Sequence, residues 1–140
     1  MKANELMVDD WVLWKDKPVQ IARVSGVVYS FGHIDVTLAH CGNGVLETHD
    51  IKSISPIPLT PEILEKNGFK RDMFYGEWQF DLDTFPFNFP FSVVQRKNNS
   101  WYLGREEVGI AHNREIIDIS YVHELQHALR LCGVDKTIEL

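Results

Sequence analysis

The sequence predicts a segregated α+β fold, and three observations support that class. Apolar residues make up 44% of the 140 residues, which is enough for a buried core. Most apolar stretches are short, rich in β-branched or aromatic residues, and bounded by turn residues, as strands are. The helical signals are confined to two places, one near residue 61 and one near residue 121. Runs of strands with helices set apart from them are typical of α+β domains.

The N-terminal part, residues 1–55, contains about five short predicted strands. Residues 19–24 alternate apolar and polar side chains with few exceptions, and residues 27–31 and 34–38 are two further β-branched stretches. The Gly-Asn-Gly sequence at 42–44 tolerates positive φ and predicts a tight reversal. Short strands joined by short turns predict an SH3-like small β-barrel over this part of the chain.

The segment 56–70 is predicted to link the two halves through a short helix. Thr60 supplies a capping hydroxyl, and Pro61 occupies the first helical position, where its missing N–H is not needed. Gly68 stands directly after the last helical residue, where glycine ends helices. These signals predict a helix over residues 61–67.

The C-terminal part, residues 71–140, is predicted to form an antiparallel β-meander packed on one terminal helix. The predicted strands lie at 75–82, 92–97, 100–103, 107–110 and 137–140. The helix is predicted over residues 121–132, and Gly133 is expected to stop it. The sequence leaves open whether the two halves are separate domains or share one core.

The sequence His-Glu-x-x-His at residues 123–127 is the feature that points most directly to chemistry. Two histidines four residues apart lie on one face of a helix and bind one zinc ion, and the glutamate takes a proton from the metal-bound water. The alternative function is therefore a zinc-dependent hydrolase. In that alternative His123 and His127 are the metal ligands and Glu124 is the catalytic base.

Two features weigh against a metal site. No third ligand follows at the usual downstream spacing, which leaves His112, Glu115 and Asp118 upstream as candidates. At about 100° per residue, the apolar side chains of the helix fall in one arc and the motif side chains fall opposite it. The sequence therefore predicts a motif facing solvent, and no cofactor.

Three segments of the chain resemble a known family. They read Leu-Met-Val-Asp-Asp-Trp-Val at 6–12, Pro-Ile-Pro-Leu-Thr-Pro-Glu-Ile-Leu-Glu-Lys-Asn-Gly-Phe at 56–69, and Tyr-Val-His-Glu-Leu-Gln at 121–126. In this order they are similar to a family of small proteins, without an assigned function, from gut Bacteroidetes and their phages and mobile elements. The resemblance implies a phage or mobile-element context. The family's helix pattern requires neither Glu124 nor His127, which implies that the zinc motif is a local coincidence.

The favoured function is a non-catalytic binding or accessory protein with a protein or peptide partner. Trp11 and Trp14 fall on different faces of a strand, and one of them is expected to line a groove like those with which SH3-like barrels bind peptides. The second predicted surface is an aromatic tract, and its rings are Phe85, Phe87, Phe89 and Phe91. The alternative for this tract is an edge segment that packs its rings inward.

Charge and composition indicate which partners and which cellular location to expect. Fourteen Lys and Arg against twenty Asp and Glu give a net charge of −6, which disfavours nucleic acid as a partner. Arg96 and Lys97, with Trp101 and Tyr102, form only a small basic and aromatic tip. No apolar run approaches the roughly 18 residues of a membrane helix. Two cysteines and the lack of a signal-peptide pattern predict a cytoplasmic protein.

Overall fold

The computed structural model describes residues 5–15, 20–40, 45–71, 78–80, 91–105, 114–134 and 136–140. Within them the chain is mostly β, with two antiparallel sheets and two α-helices, in agreement with the predicted α+β class. The chain divides into two units. The first comprises Met1–Pro58 with Tyr121–His123, and the second Leu59–Ser120 with Glu124–Leu140.

The first unit contains a five-stranded antiparallel sheet in the order β4-β3-β2-β1-β5. Its strands are β1 (Trp11–Trp14), β2 (Gln20–Ser30), β3 (His33–His40), β4 (Leu46–Asp50) and β5 (Ile54–Pro56). A 3₁₀ turn at Ile51–Ser53 precedes β5, and the Asp50 carboxylate caps it by accepting the Lys52 N–H at 2.8 Å. In the described part of the chain β4 and β5 are the sheet edges and no closed barrel is found, so the predicted SH3-like barrel is not confirmed.

Side chains of this sheet alternate between a buried inner face and an outer face. Val12 pairs with Ala22, and both are fully buried. Val24 and Val27 are three positions apart, a spacing that places side chains on opposite faces of a regular strand. A register shift between Val24 and Gly26 lets both face the core. The buried cluster of this unit consists of Leu6, Val12, Ala22, Val24, Val36, Leu38 and Ile54.

The second unit contains a five-stranded antiparallel sheet in the order β10-β9-β8-β7-β6. Its strands are β6 (Lys70–Arg71), β7 (Trp78–Phe80), β8 (Phe91–Gln95), β9 (Trp101–Arg105) and β10 (Arg114–Ile119). Strands β8 and β9 form the hairpin predicted near residues 92–103, with Asn99 at φ 63° in its turn. The predicted strand 107–110 and the predicted turn 42–44 lie outside the described residues.

Helix α1, Pro61–Lys66, forms where it was predicted and ends one residue earlier. The Thr60 hydroxyl accepts the Ile63 N–H at 3.4 Å, and Gly68 has φ 80°. The predicted strand 137–140 is wrong, because this segment is held by a side chain instead. The Asn67 amide accepts the Glu139 N–H at 2.8 Å and donates to the Glu139 carbonyl at 2.8 Å.

Helix α2, Val122–Leu131, lies within the predicted range 121–132. Gly133 at φ 77° ends it, and the Val134 N–H donates to the Leu129 carbonyl at 2.9 Å. Among the described residues, no helix has the length and apolar character that a membrane crossing requires.

Candidate functional site

The motif at residues 123–127 lies on the first two turns of helix α2. Backbone hydrogen bonds fix the start of the helix, since the Val122 N–H donates to the Ile57 carbonyl at 2.9 Å. The Glu124 carboxylate accepts the Ser120 N–H at 2.6 Å. A glutamate in the first turn that reaches back to a preceding N–H is a helix cap. Glu124 therefore has a structural partner at the position where a hydrolase would need a general base.

The prediction that the motif faces solvent is wrong for His123. Its side chain is only 2% exposed, and its ring stacks on Tyr121 with centroids 5.8 Å apart. Gln126, which is also buried, lies about 60° from His123 around the helix axis. The buried arc is therefore wider than the apolar stripe, because a polar glutamine extends it to the histidine. His127 and Glu124 are half-buried, at the border of this arc.

The described residues do not supply a third metal ligand. No group of three or more His, Cys, Asp or Glu side chains that would hold a metal occurs among them. Of the three upstream candidates, Glu115 and Asp118 both bind the Arg96 guanidinium, the latter at 2.6 Å. The third candidate, His112, lies outside the described residues.

Trp11 and Trp14 are half-buried and differ in their surroundings. Trp14 packs against the buried cluster of the first unit, and its ring centroid lies 4.2 Å from that of His49. Trp11 lies under the Arg23 guanidinium, 5.0 Å from the ring centroid, and pairs with Arg23 across β1 and β2. Trp11, on the outer face, is thus the better placed of the two for a partner.

Two other surfaces were predicted, the aromatic tract from Phe85 to Phe91 and the basic tip around Arg96. In the aromatic tract only Phe91 is described, and it is half-buried at the start of β8. Phe85, Phe87 and Phe89 lie outside the described residues. In the basic tip the Arg96 guanidinium stacks over Tyr102 at 4.8 Å and binds two carboxylates, which raise its pKa, with Glu115 the larger cause. This cation is therefore already neutralised by neighbouring anions.

The structure reveals a surface that sequence reasoning missed, at the turn between β2 and β3. Strand β1 pairs with β2 only up to Arg23, and β4 pairs with β3 only from Asp35 onward. The hairpin between these points, residues 25–34, extends beyond both neighbours, and we call it the β2–β3 arm. Its exposed apolar side chains are Val28 (51% exposed), Tyr29 (65% exposed) and the fully exposed Phe31.

The turn of the β2–β3 arm carries backbone strain. Ser30 pairs with His33, so the turn has two residues, Phe31 at φ 46° and Gly32 at φ 81°. Hairpin turns with positive φ at both positions favour Asn or Asp followed by Gly. A bulky residue in this conformation costs about 1–2 kcal/mol. The ring of Phe31 is fully exposed, so packing against the described residues does not offset this cost.

A signal for this surface exists in the sequence. Phe31 directly precedes Gly32 between two β-branched stretches, which is the place where a hairpin turn normally has a small polar residue. The pattern marks the turn, but the exposure of the ring depends on the lengths of β1 and β4. No family model, curated protein or solved structure matches the chain.

Proposed function

We propose that the protein is a non-catalytic binding protein and that the β2–β3 arm is its main binding surface. The observation that carries the proposal is Phe31, whose ring is fully exposed on a backbone conformation unfavourable for phenylalanine. Residues that lower stability and expose apolar area are typical of functional surfaces. Aromatic side chains are also among the residues that contribute most to protein interfaces.

We further propose an SH3-like architecture for the first unit. The strand order β4-β3-β2-β1-β5, with a 3₁₀ turn before β5, supports this assignment. In that architecture Trp11 on the outer face is a second contact for a peptide partner, with Arg23 keeping its ring in place. The resemblance of the segments at 6–12, 56–69 and 121–126 supports a role in a phage or mobile element, in the cytoplasm of the host.

The zinc hydrolase is the weaker candidate. Its base, Glu124, caps helix α2 through the Ser120 N–H, and its first ligand, His123, is buried beside Tyr121. A catalytic zinc needs three protein ligands and an open position for water. The described residues provide at most the two histidines of the motif.

The binding proposal is tested by affinity capture from the native host. The wild-type chain and the Phe31→Asn variant serve as baits. Leu131→Asn is the matched control, because Leu131 is also exposed (84%) but lies on helix α2. We expect a protein that is retained by the wild type and by the control and lost with Phe31→Asn. Equal recovery with all three baits would contradict the proposal.

The hydrolase alternative is tested by metal content. We expect protein purified without chelators to contain far less than one zinc per chain, and the His123→Ala variant to be no different. A full equivalent of zinc that disappears in the folded variant would favour the hydrolase over the binding protein. His127→Ala is the second variant, because His127 is half-buried and its loss disturbs packing less.

A further inference from the structure

Among the described residues, one edge of strand β2 has no strand partner along the β2–β3 arm. At Val24 this edge is occupied, because its carbonyl accepts the Asp9 N–H and its N–H donates to the Asp10 carbonyl, each at 2.8 Å. From Ser25 to Ser30 no strand among the described residues pairs with β2 on that side. A free edge of this length is a template for adding another strand.

The register of the hairpin identifies the backbone groups that this edge offers. Residues that flank a two-residue turn exchange both backbone hydrogen bonds, and every second pair along an antiparallel ladder does the same. Ser30 and His33 flank the turn, so Ser30 and Val28 direct their N–H and C=O groups toward β3. Val27 and Tyr29 therefore direct theirs toward the free edge.

The side chains along this edge suit a second copy of the same chain. Residues 24–34 contain no Asp, Glu, Lys or Arg, whereas the whole chain carries a net charge of −6. Two copies therefore meet without like-charge repulsion between the facing strands. Lysine or proline, which often protect exposed edges from such pairing, does not occur in this stretch.

We propose that two copies of the chain pair through the free edges of their β2 strands, antiparallel, about a twofold axis at Val28. The inference rests on the proposed function, since it takes the β2–β3 arm as the binding surface. In this register Tyr29 of each copy lies opposite Val27 of the other, on the inner face. Aromatic side chains opposite β-branched ones are favourable cross-strand pairs. The Val27 and Tyr29 backbone groups are the ones that hydrogen-bond across the axis.

Pairing would also stabilise the β2–β3 arm. An isolated two-stranded hairpin is marginally stable, and the pairing converts two such hairpins into one four-stranded segment. Overlap is limited to residues 25–31, because Asp9 and Asp10 occupy the edge at Val24. An interface of this size is small, so the dimer is weak and forms reversibly with concentration.

Sedimentation velocity over a wide concentration range tests the dimer. We expect the wild-type chain to shift from monomer to dimer as its concentration rises. Val28→Lys places two lysines opposite each other at the axis and is expected to weaken the dimer about tenfold or more. Leu46→Lys is the control, because Leu46 is also exposed but lies on β4. A wild-type chain that stays monomeric, or equal effects of both lysines, would overturn the proposal.

Disulfide cross-linking tests the position of the axis. The proposed Val28 pair is not hydrogen-bonded, so its Cα atoms would lie about 4.5 Å apart, within the range for a disulfide. We expect Val28→Cys to give a 28–28 linked dimer on mild oxidation, identified by peptide mapping, and Leu46→Cys to give much less. Equal linkage of the two variants would overturn the twofold axis.

The outcomes separate this inference from the proposed function. A monomeric chain that still retains a Phe31-dependent partner would overturn the dimer and leave the binding function standing. That partner would then add a strand of its own to β2. A dimer with the expected 28–28 linkage supports the inference even where affinity capture finds no other protein.

Discussion

Helix α2 and the β2–β3 arm use their most conspicuous side chains in opposite ways. The helix carries His123, Glu124 and His127, which are residue types common in catalytic sites. In the structure His123 is buried by packing, and Glu124 caps the helix. The β2–β3 arm has no charged residue between 24 and 34, yet it exposes Phe31 on a strained turn. The difference teaches that surroundings, more than residue type, distinguish a structural position from a functional one.

The largest expected effect is at the buried face of helix α2. Leu125 is fully buried, so Leu125→Ala removes apolar contacts and leaves a cavity. We expect the free energy of unfolding to fall by about 2–5 kcal/mol, measured by urea denaturation. Leu131→Ala, on the exposed side of the same helix, is expected to change it by less than about 0.5 kcal/mol. Equal losses of stability in both variants would contradict the assignment of Leu125 to the buried face of the helix and Leu131 to the exposed face.

A smaller effect is expected at the cap of helix α2. Glu124→Gln removes the charge from the carboxylate that accepts the Ser120 N–H. We expect a loss of about 1 kcal/mol in unfolding free energy and no loss of binding by the β2–β3 arm. Glu65→Gln, at an exposed position of helix α1, is the matched control and is expected to have little effect. If Glu124→Gln leaves the stability unchanged, Glu124 does not cap the helix, and its role as the catalytic base of a hydrolase becomes the better explanation.

The smallest effect is expected at the turn of the β2–β3 arm, where a substitution should raise the free energy of unfolding instead of lowering it. Phe31→Asn places at φ 46° a residue that tolerates this conformation, so unfolding free energy should rise by about 1 kcal/mol. Phe31→Ala removes the ring but keeps an ordinary Cβ, so its stability should stay close to that of the wild type. Thermal unfolding of the wild type and both variants measures these differences. A destabilised Phe31→Asn variant would show that the ring contributes to folding and is not reserved for a partner.

Local signals predicted much of the fold. Thr60, Pro61 and Gly68 placed helix α1 within one residue, because capping and helix termination depend on neighbours in the chain. Gly133 placed the end of helix α2 for the same reason. The predicted strand 137–140 failed because the side chain of Asn67, distant in sequence, binds the backbone of Glu139. Such a long-range contact leaves no periodic pattern.

The candidate sites were harder to predict than the fold. The apolar stripe of helix α2 was placed correctly, but Gln126 is buried beside that stripe and extends the buried arc to His123. A pattern of apolar residues cannot show that a glutamine is buried. The exposure of Phe31 depends likewise on where β1 and β4 end, which is a property of strand pairing rather than of the turn itself.

By itself the sequence determined the α+β class and the two helices, because their signals depend on residues close together in the chain. The tertiary structure decided the burial of His123, the capping by Glu124 and the projection of the β2–β3 arm. These depend on which segments pack or pair with one another. Burial and free edges arise only when distant parts of the chain meet, and they decide which side chains remain available to a partner.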